Sequence, residues 1–125
     1  MVGDSLKVFD FTPATELFNP TPSSLTTTVF GYPGSIPSVS SQGATNGIVW
    51  TTDISQYGYP APLQGPAVLH AYDATNLATE LWNSTQASGN RDQAGNAVKF
   101  TVPTVANGKV YLGTRTEIDV YGLLP

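Results

Sequence analysis

Leu69-His70-Ala71-Tyr72-Asp73-Ala74-Thr75-Asn76-Leu77-Ala78-Thr79-Glu80-Leu81-Trp82 reads as a short strand, a tight turn and a second short strand. The chain carries this unit more than once. Leu6-Lys7-Val8-Phe9-Asp10-Phe11-Thr12-Pro13-Ala14-Thr15-Glu16-Leu17-Phe18 repeats it one residue shorter, and Ile118-Asp119-Val120-Tyr121-Gly122-Leu123 repeats its first half. A recurring unit sets architecture before any single motif does.

A second repeat flanks the first. Ile36-Pro37-Ser38-Val39 matches Val102-Pro103-Thr104-Val105, and after a turn ending in Gly, Val49-Trp50 matches Val110-Tyr111. With these two strands named A and B, and the hairpin arms C and D, the chain reads C-D over 5–19, A-B-C-D over 35–83 and A-B-C over 98–124.

Composition agrees with many short strands. The 125 residues include 12 glycines and 10 prolines, which punctuate the chain too often for long helices. Thr, Val, Tyr, Phe and Trp between turn residues favour strands. Charged residues make up only 11%, with a net charge of −4 and five Lys and Arg, so no basic patch for nucleic acid is expected. No run approaches the ~20 apolar residues of a membrane helix. With no cysteine, disulfides, thiolate metal sites and Cys nucleophiles are excluded.

In order along the chain, Leu6, Val8 and Phe11 lead into a Thr12-Pro13-Ala14 turn. A return strand over Glu16-Leu17-Phe18 is expected to stop at Asn19-Pro20-Thr21-Pro22. Leu25 to Phe30 reads as a strand or an extended connection, and Gly47 to Thr52 as a clear strand. Asp53 to Pro66 is a Pro-rich excursion loop, and Gln86 to Asn96 a solvated polar connection. Val98 to Val105 alternates apolar and polar residues up to Pro103, and Asn107-Gly108 supplies a type I′ hairpin turn.

On these residues the chain resembles part of a quinoprotein-like β-propeller, the fold whose namesakes are the pyrroloquinoline-quinone alcohol dehydrogenases. Pro103-Thr104-Val105-Ala106-Asn107-Gly108-Lys109-Val110-Tyr111-Leu112-Gly113-Thr114 carries the first half of the blade signature. Leu69, Ala71, Tyr72, Asp73, Ala74, Thr75, Leu81 and Trp82 carry the second. The departure is Asn76-Leu77-Ala78 in place of the usual Thr-Gly turn, which puts the docking of Trp82 in doubt. The resemblance implies four-stranded antiparallel blades, with Phe9, Asp10, Trp50, Tyr72, Asp73, Trp82, Pro103, Gly108, Tyr111 and Tyr121 at repeat positions. It implies about two blades, where a closed propeller needs about four to eight. The rest of the ring would come from further copies of the chain or from the remaining blades of a longer one, unless the modules pack as an open pair. With the Cys-free composition, it also points to an exported, periplasmic or extracellular protein.

Candidate chemistry is sparse. His70, the single histidine, lies on a strand with no evident nucleophile and reads as structural. Asp10 and Asp73 read as turn residues, and Glu16 and Glu80 as exposed strand positions. Arg91 and Asp92 stand in the least repetitive polar loop, where Asp92 with amide oxygens could take a hard cation or Arg91 a small polar ligand. Tyr57 and Tyr59 stand among prolines, as aromatics that stack on carbohydrate or peptide or that cover a sheet edge. A non-catalytic scaffold or interaction module is therefore the expectation, with no cofactor. The enzymatic alternatives are a quinone-dependent dehydrogenase, whose vicinal cysteines are missing, and a calcium-dependent, lactonase-like hydrolase.

Overall fold

The computed structural model describes residues 3–58 and 64–123. They form antiparallel β-sheets with a single turn of 3-10 helix at Ser88–Asn90.

The central layer is a four-stranded meander. β5 (Ser38–Gln42), β6 (Thr45–Asp53), β7 (Val68–Asp73) and β8 (Asn76–Asn83) pair antiparallel in sequence order. Trp50 lies opposite Ala71, and Ala71 opposite Trp82, so one face carries large rings flanking a small residue. The ladder between β7 and β8 slips at Tyr72. The resulting bulge turns Leu81 out to solvent, whereas Leu77 is buried. Asp73 makes the connecting turn by accepting both the amide and the hydroxyl of Thr75, at 2.7 and 2.6 Å.

The N-terminal layer is one long hairpin. β1 (Asp4–Val8) pairs with β4 (Ser24–Phe30), and its tip is the pair β2 (Phe11–Thr12) and β3 (Leu17–Phe18). The short return strand stops at Phe18, as expected before Asn19-Pro20-Thr21-Pro22, but the hairpin continues beyond the prolines. Pro20 and Pro22 fall between the two ladders, where no N–H is required of them. The Asn19 and Ser23 amides resume the register on either side, donating to Asp10 O and Val8 O at 2.8 Å. Leu25 to Phe30 is thus the main return strand.

The C-terminal layer is the three-stranded meander β9 (Thr104–Ala106), β10 (Lys109–Gly113) and β11 (Ile118–Tyr121). Asn107 and Gly108 both hold positive φ, 51° and 70°, as a type I′ turn demands. The strand expected over 98–105 begins only at Thr104. Upstream, Phe100 adopts a left-handed φ of 63° and Pro103 withholds a donor, so 98–103 is irregular.

The three layers stack face to face through two apolar clusters. Leu69 joins Val110, Leu112, Ile54, Ala67, Ala94 and Ala97 between the central and C-terminal sheets, flanked by Trp50, Trp82, Val105 and Tyr121. Tyr72 joins Phe30, Val49 and Leu77 between the central and N-terminal sheets, flanked by Leu6, Val8 and Ala74. Repeat-equivalent side chains therefore keep their direction. Leu6 and Leu69 face the sheet that follows, while Tyr72 and Tyr121 face the one that precedes.

Equivalent direction is not equivalent burial. Tyr72 is wholly enclosed, Tyr121 half-buried against Trp82, and Phe9 is 42% exposed. Only Tyr72 belongs to a sheet covered on both faces. The turn aspartates differ as well, since the Asp10 carboxylate accepts the Ser23 hydroxyl rather than an amide of its own turn.

The loop over 86–96 is not a plain solvated connection. Ala94 is buried, the Gly95 carbonyl accepts the Ala67 amide, and the Gly95 amide donates to Asp119 Oδ2 at 3.0 Å. A Cβ at Gly95 would meet the Glu117 carboxylate and the Thr114 hydroxyl, so those side chains would have to shift to admit one.

Candidate aromatic binding corner

Tyr57 is held by its backbone before its ring meets anything. β6 ends at Asp53, whose Oδ1 accepts the Ser55 amide at 2.8 Å. The Tyr57 amide then donates to Ile54 O at 3.1 Å, and Tyr57 bridges Gln64 antiparallel. From the C-terminal sheet's β10–β11 turn, Arg115 Nη2 donates to Tyr57 O at 2.7 Å. These contacts fix the backbone from which the ring projects.

Tyr32 arrives from the other side, just past β4. The preceding Gly31 packs so tightly on the loop after β6 that a Cβ there would lie 2.9 Å from Ser55 Cβ. That missing side chain lets the two segments approach. The Tyr32 and Tyr57 rings converge with centroids 5.8 Å apart and planes tilted 57°. Lys99, in the irregular stretch before β9, places Nζ 4.3 Å from the Tyr57 centroid and 5.4 Å from that of Tyr32. No carboxylate pairs with this ammonium among the described residues.

The other candidates are not brought here. Tyr59 lies outside the described residues. Arg91 clasps its neighbour Asp92, Nε to Oδ1 at 2.7 Å and Nη2 to Oδ2 at 2.9 Å. Hydrogen bonding from Arg91 lowers the Asp92 pKa, and the same carboxylate raises that of Arg91. The Asp92 carboxylate is thus paired with Arg91, and it is a single carboxylate where a calcium ion wants six to eight oxygen ligands. Among the described residues no group of three or more His, Cys, Asp or Glu side chains could hold a metal ion.

His70 sits in a closed polar network on the face toward the N-terminal hairpin. Its Nδ1 lies 2.6 Å from Glu80 Oε1, which also accepts from Asn83 Nδ2 at 3.1 Å. Glu80 is thus turned onto the histidine and half-buried, not an exposed strand position. Tyr72 Oη stands 3.4 Å from His70 Nδ1 and donates to Thr28 Oγ1 at 2.9 Å. The Phe30 ring meets the imidazole edge-on. With Nδ1 shared between Glu80 and the tyrosine, and rings on two sides, this cluster fastens two sheets together. The sequence carries no signal for it beyond the repeat, because the β8 bulge decides where Glu80 points.

Comparison with protein-family models, with characterised proteins and with solved structures gives no match to this chain.

Proposed function

We propose that this chain is a non-catalytic binding scaffold made of stacked, propeller-like sheets, and that it contacts ligands at the Tyr32–Tyr57 corner. The observation carrying this reading is the alternation of faces from layer to layer. The back of the N-terminal sheet exposes Phe9, Leu25 and Val29, and the front of the C-terminal sheet exposes Ile118 and Val120. Ile118 is the repeat equivalent of Leu69, and Phe9 of Tyr72. The two open faces thus match the two sides of interfaces already formed inside the chain.

Copies joined head to tail into a closed ring, or further sheets of the same kind on either side, would cover both faces. Contiguous apolar patches of this sort ordinarily mark association surfaces. In such an assembly the corner supplies the ligand contact, because its rings lie on loops at the sheet ends rather than on a stacked face. Carbohydrate or another small molecule suits two converging tyrosines.

Sedimentation tests the assembly and ring resonances test the site. The reading expects the chain to sediment above monomer size and to return toward monomer when Ile118 and Val120 are both replaced by Lys. It also expects Tyr32 and Tyr57 ring signals to shift with a bound small molecule. A monomer at high concentration whose tyrosine signals answer to no ligand would overturn it.

A further inference from the structure

From the Tyr32–Tyr57 corner we infer that its ligand is a small alkylated ammonium compound, and that Lys99 is a built-in occupant which such a ligand must displace. The inference rests on the reading of this corner as the contact site and narrows it to one chemistry.

Two tyrosine faces a few ångströms apart present negative ring quadrupoles to one point, which attracts a cation and not an anion. That point is already taken by a cation. Lys99 Nζ lies within cation–π range of both rings, 4.3 and 5.4 Å from their centroids. An ordinary surface lysine leaves its ammonium in water or against a carboxylate, but no carboxylate partner holds Lys99 among the described residues. The aromatic pair is what holds it.

The same contact shows why an alkylated ammonium would compete. A primary ammonium is compact and strongly hydrated, and a flexible four-carbon stem must be ordered to deliver it. A tetraalkyl cation carries the same charge with a weaker water shell, and its methyl groups bury apolar area against the rings. The host is also in place before any ligand arrives. Tyr57 is anchored by the Ile54 carbonyl, the Gln64 bridge and Arg115, none of which involves Lys99. Tyr32 is 49% exposed and Lys99 itself is exposed, so a ligand can reach the rings and the lysine has water to retreat into. The net charge of −4 favours the approach of cations over anions.

The test uses the full chain and tetramethylammonium chloride, with sodium chloride at equal ionic strength as the blank and Tyr32 and Tyr57 ring resonances as the readout. Lys99→Ala is expected to bind tetramethylammonium about tenfold more tightly than the parent chain, the displaced lysine contact being of the order of a cation–π pair. Adding Tyr32→Leu to Lys99→Ala should remove the binding, and this half-exposed ring can be lost without opening the core. Choline should compete with tetramethylammonium, whereas glucose should not. If Lys99→Ala ignores tetramethylammonium while the tyrosines still answer to an oligosaccharide, the ammonium inference falls and the corner remains a contact site. If neither ligand moves the ring signals, the inference and the reading beneath it both fail.

Discussion

Leu69→Ala and Ile118→Ala change equivalent positions of the repeat, and stacking predicts that they behave differently. Leu69 is 0% exposed between the central and C-terminal sheets, whereas Ile118 is 70% exposed on the outer face of the last sheet. Truncating a fully enclosed leucine removes its transfer energy and leaves a cavity, about 3–4 kcal/mol in a well-packed site. Against a typical total stability of about 5–15 kcal/mol, that is a large fraction. Less than a third of the Ile118 surface is withdrawn from water, so its truncation should cost roughly 0.5 kcal/mol or less in a dilute monomer. If head-to-tail stacking covers that face, the loss should climb toward about 2 kcal/mol as concentration rises, because only the assembled state buries it. Urea denaturation of both variants at micromolar and at near-millimolar protein measures each value. A Leu69→Ala loss below about 1 kcal/mol would refute the face assignment, since full burial of leucine cannot be that cheap to undo. An Ile118→Ala loss that stays small at every concentration would refute the stacking.

Gly47→Ala should destabilise by about 1–3 kcal/mol, because its Cβ would lie 2.8 Å from Ala74 Cβ, and Ala74→Gly should restore most of the loss in thermal melts. The Asp73 carboxyl titrates below its usual 3.8, chiefly through hydrogen bonds from the Thr75 hydroxyl and amide. Its stabilisation is therefore full above about pH 4 and disappears as pH falls through the lowered value, so Asp73→Asn should flatten the acid limb of the urea midpoint against pH. The Tyr121 phenol is pushed up to about 12, first by burial and then by the Asp119 and Asp92 carboxylates. The folded state thus favours the neutral ring, and stability present below about pH 10 should be lost toward about pH 12. Read by circular dichroism, Tyr121→Phe should reduce that alkaline loss without abolishing it, because burial also raises the Tyr72 phenol.

How much of this could be read without coordinates depends on the range over which each feature is decided. Strand identity is local. Asn107-Gly108 makes its type I′ turn because both residues tolerate positive φ, and Asp73 makes its turn because Thr75 lies two residues on. The all-β class, the four arms of the central meander and the order of the last three strands follow from such local preferences together with the repeat. Burial is not local. Phe9 and Tyr72 occupy the same place in the repeat, yet only Tyr72 has a sheet on each side of its own, and no property of Phe9 itself reports what lies across from it.

The site divides the same way. Tyr57 stood out in the sequence because an aromatic among prolines is conspicuous. Its partners Tyr32 and Lys99 come from 25 residues before and 42 after. They meet only because Gly31 lets the end of β4 press on Ser55 and because the C-terminal sheet stacks where it does. Arg91 and Asp92 were conspicuous too, but adjacent opposite charges satisfy each other sooner than they wait for a ligand. Residue chemistry by itself determined the strands of the central meander, the tight turns at Asp73 and Asn107-Gly108, and the opposite directions of the Leu69-type and Tyr72-type repeat positions. Only tertiary stacking decided which faces are covered, which side chains converge and which cation sits between the two rings, because contact between distant segments is a property of packing and not of either segment.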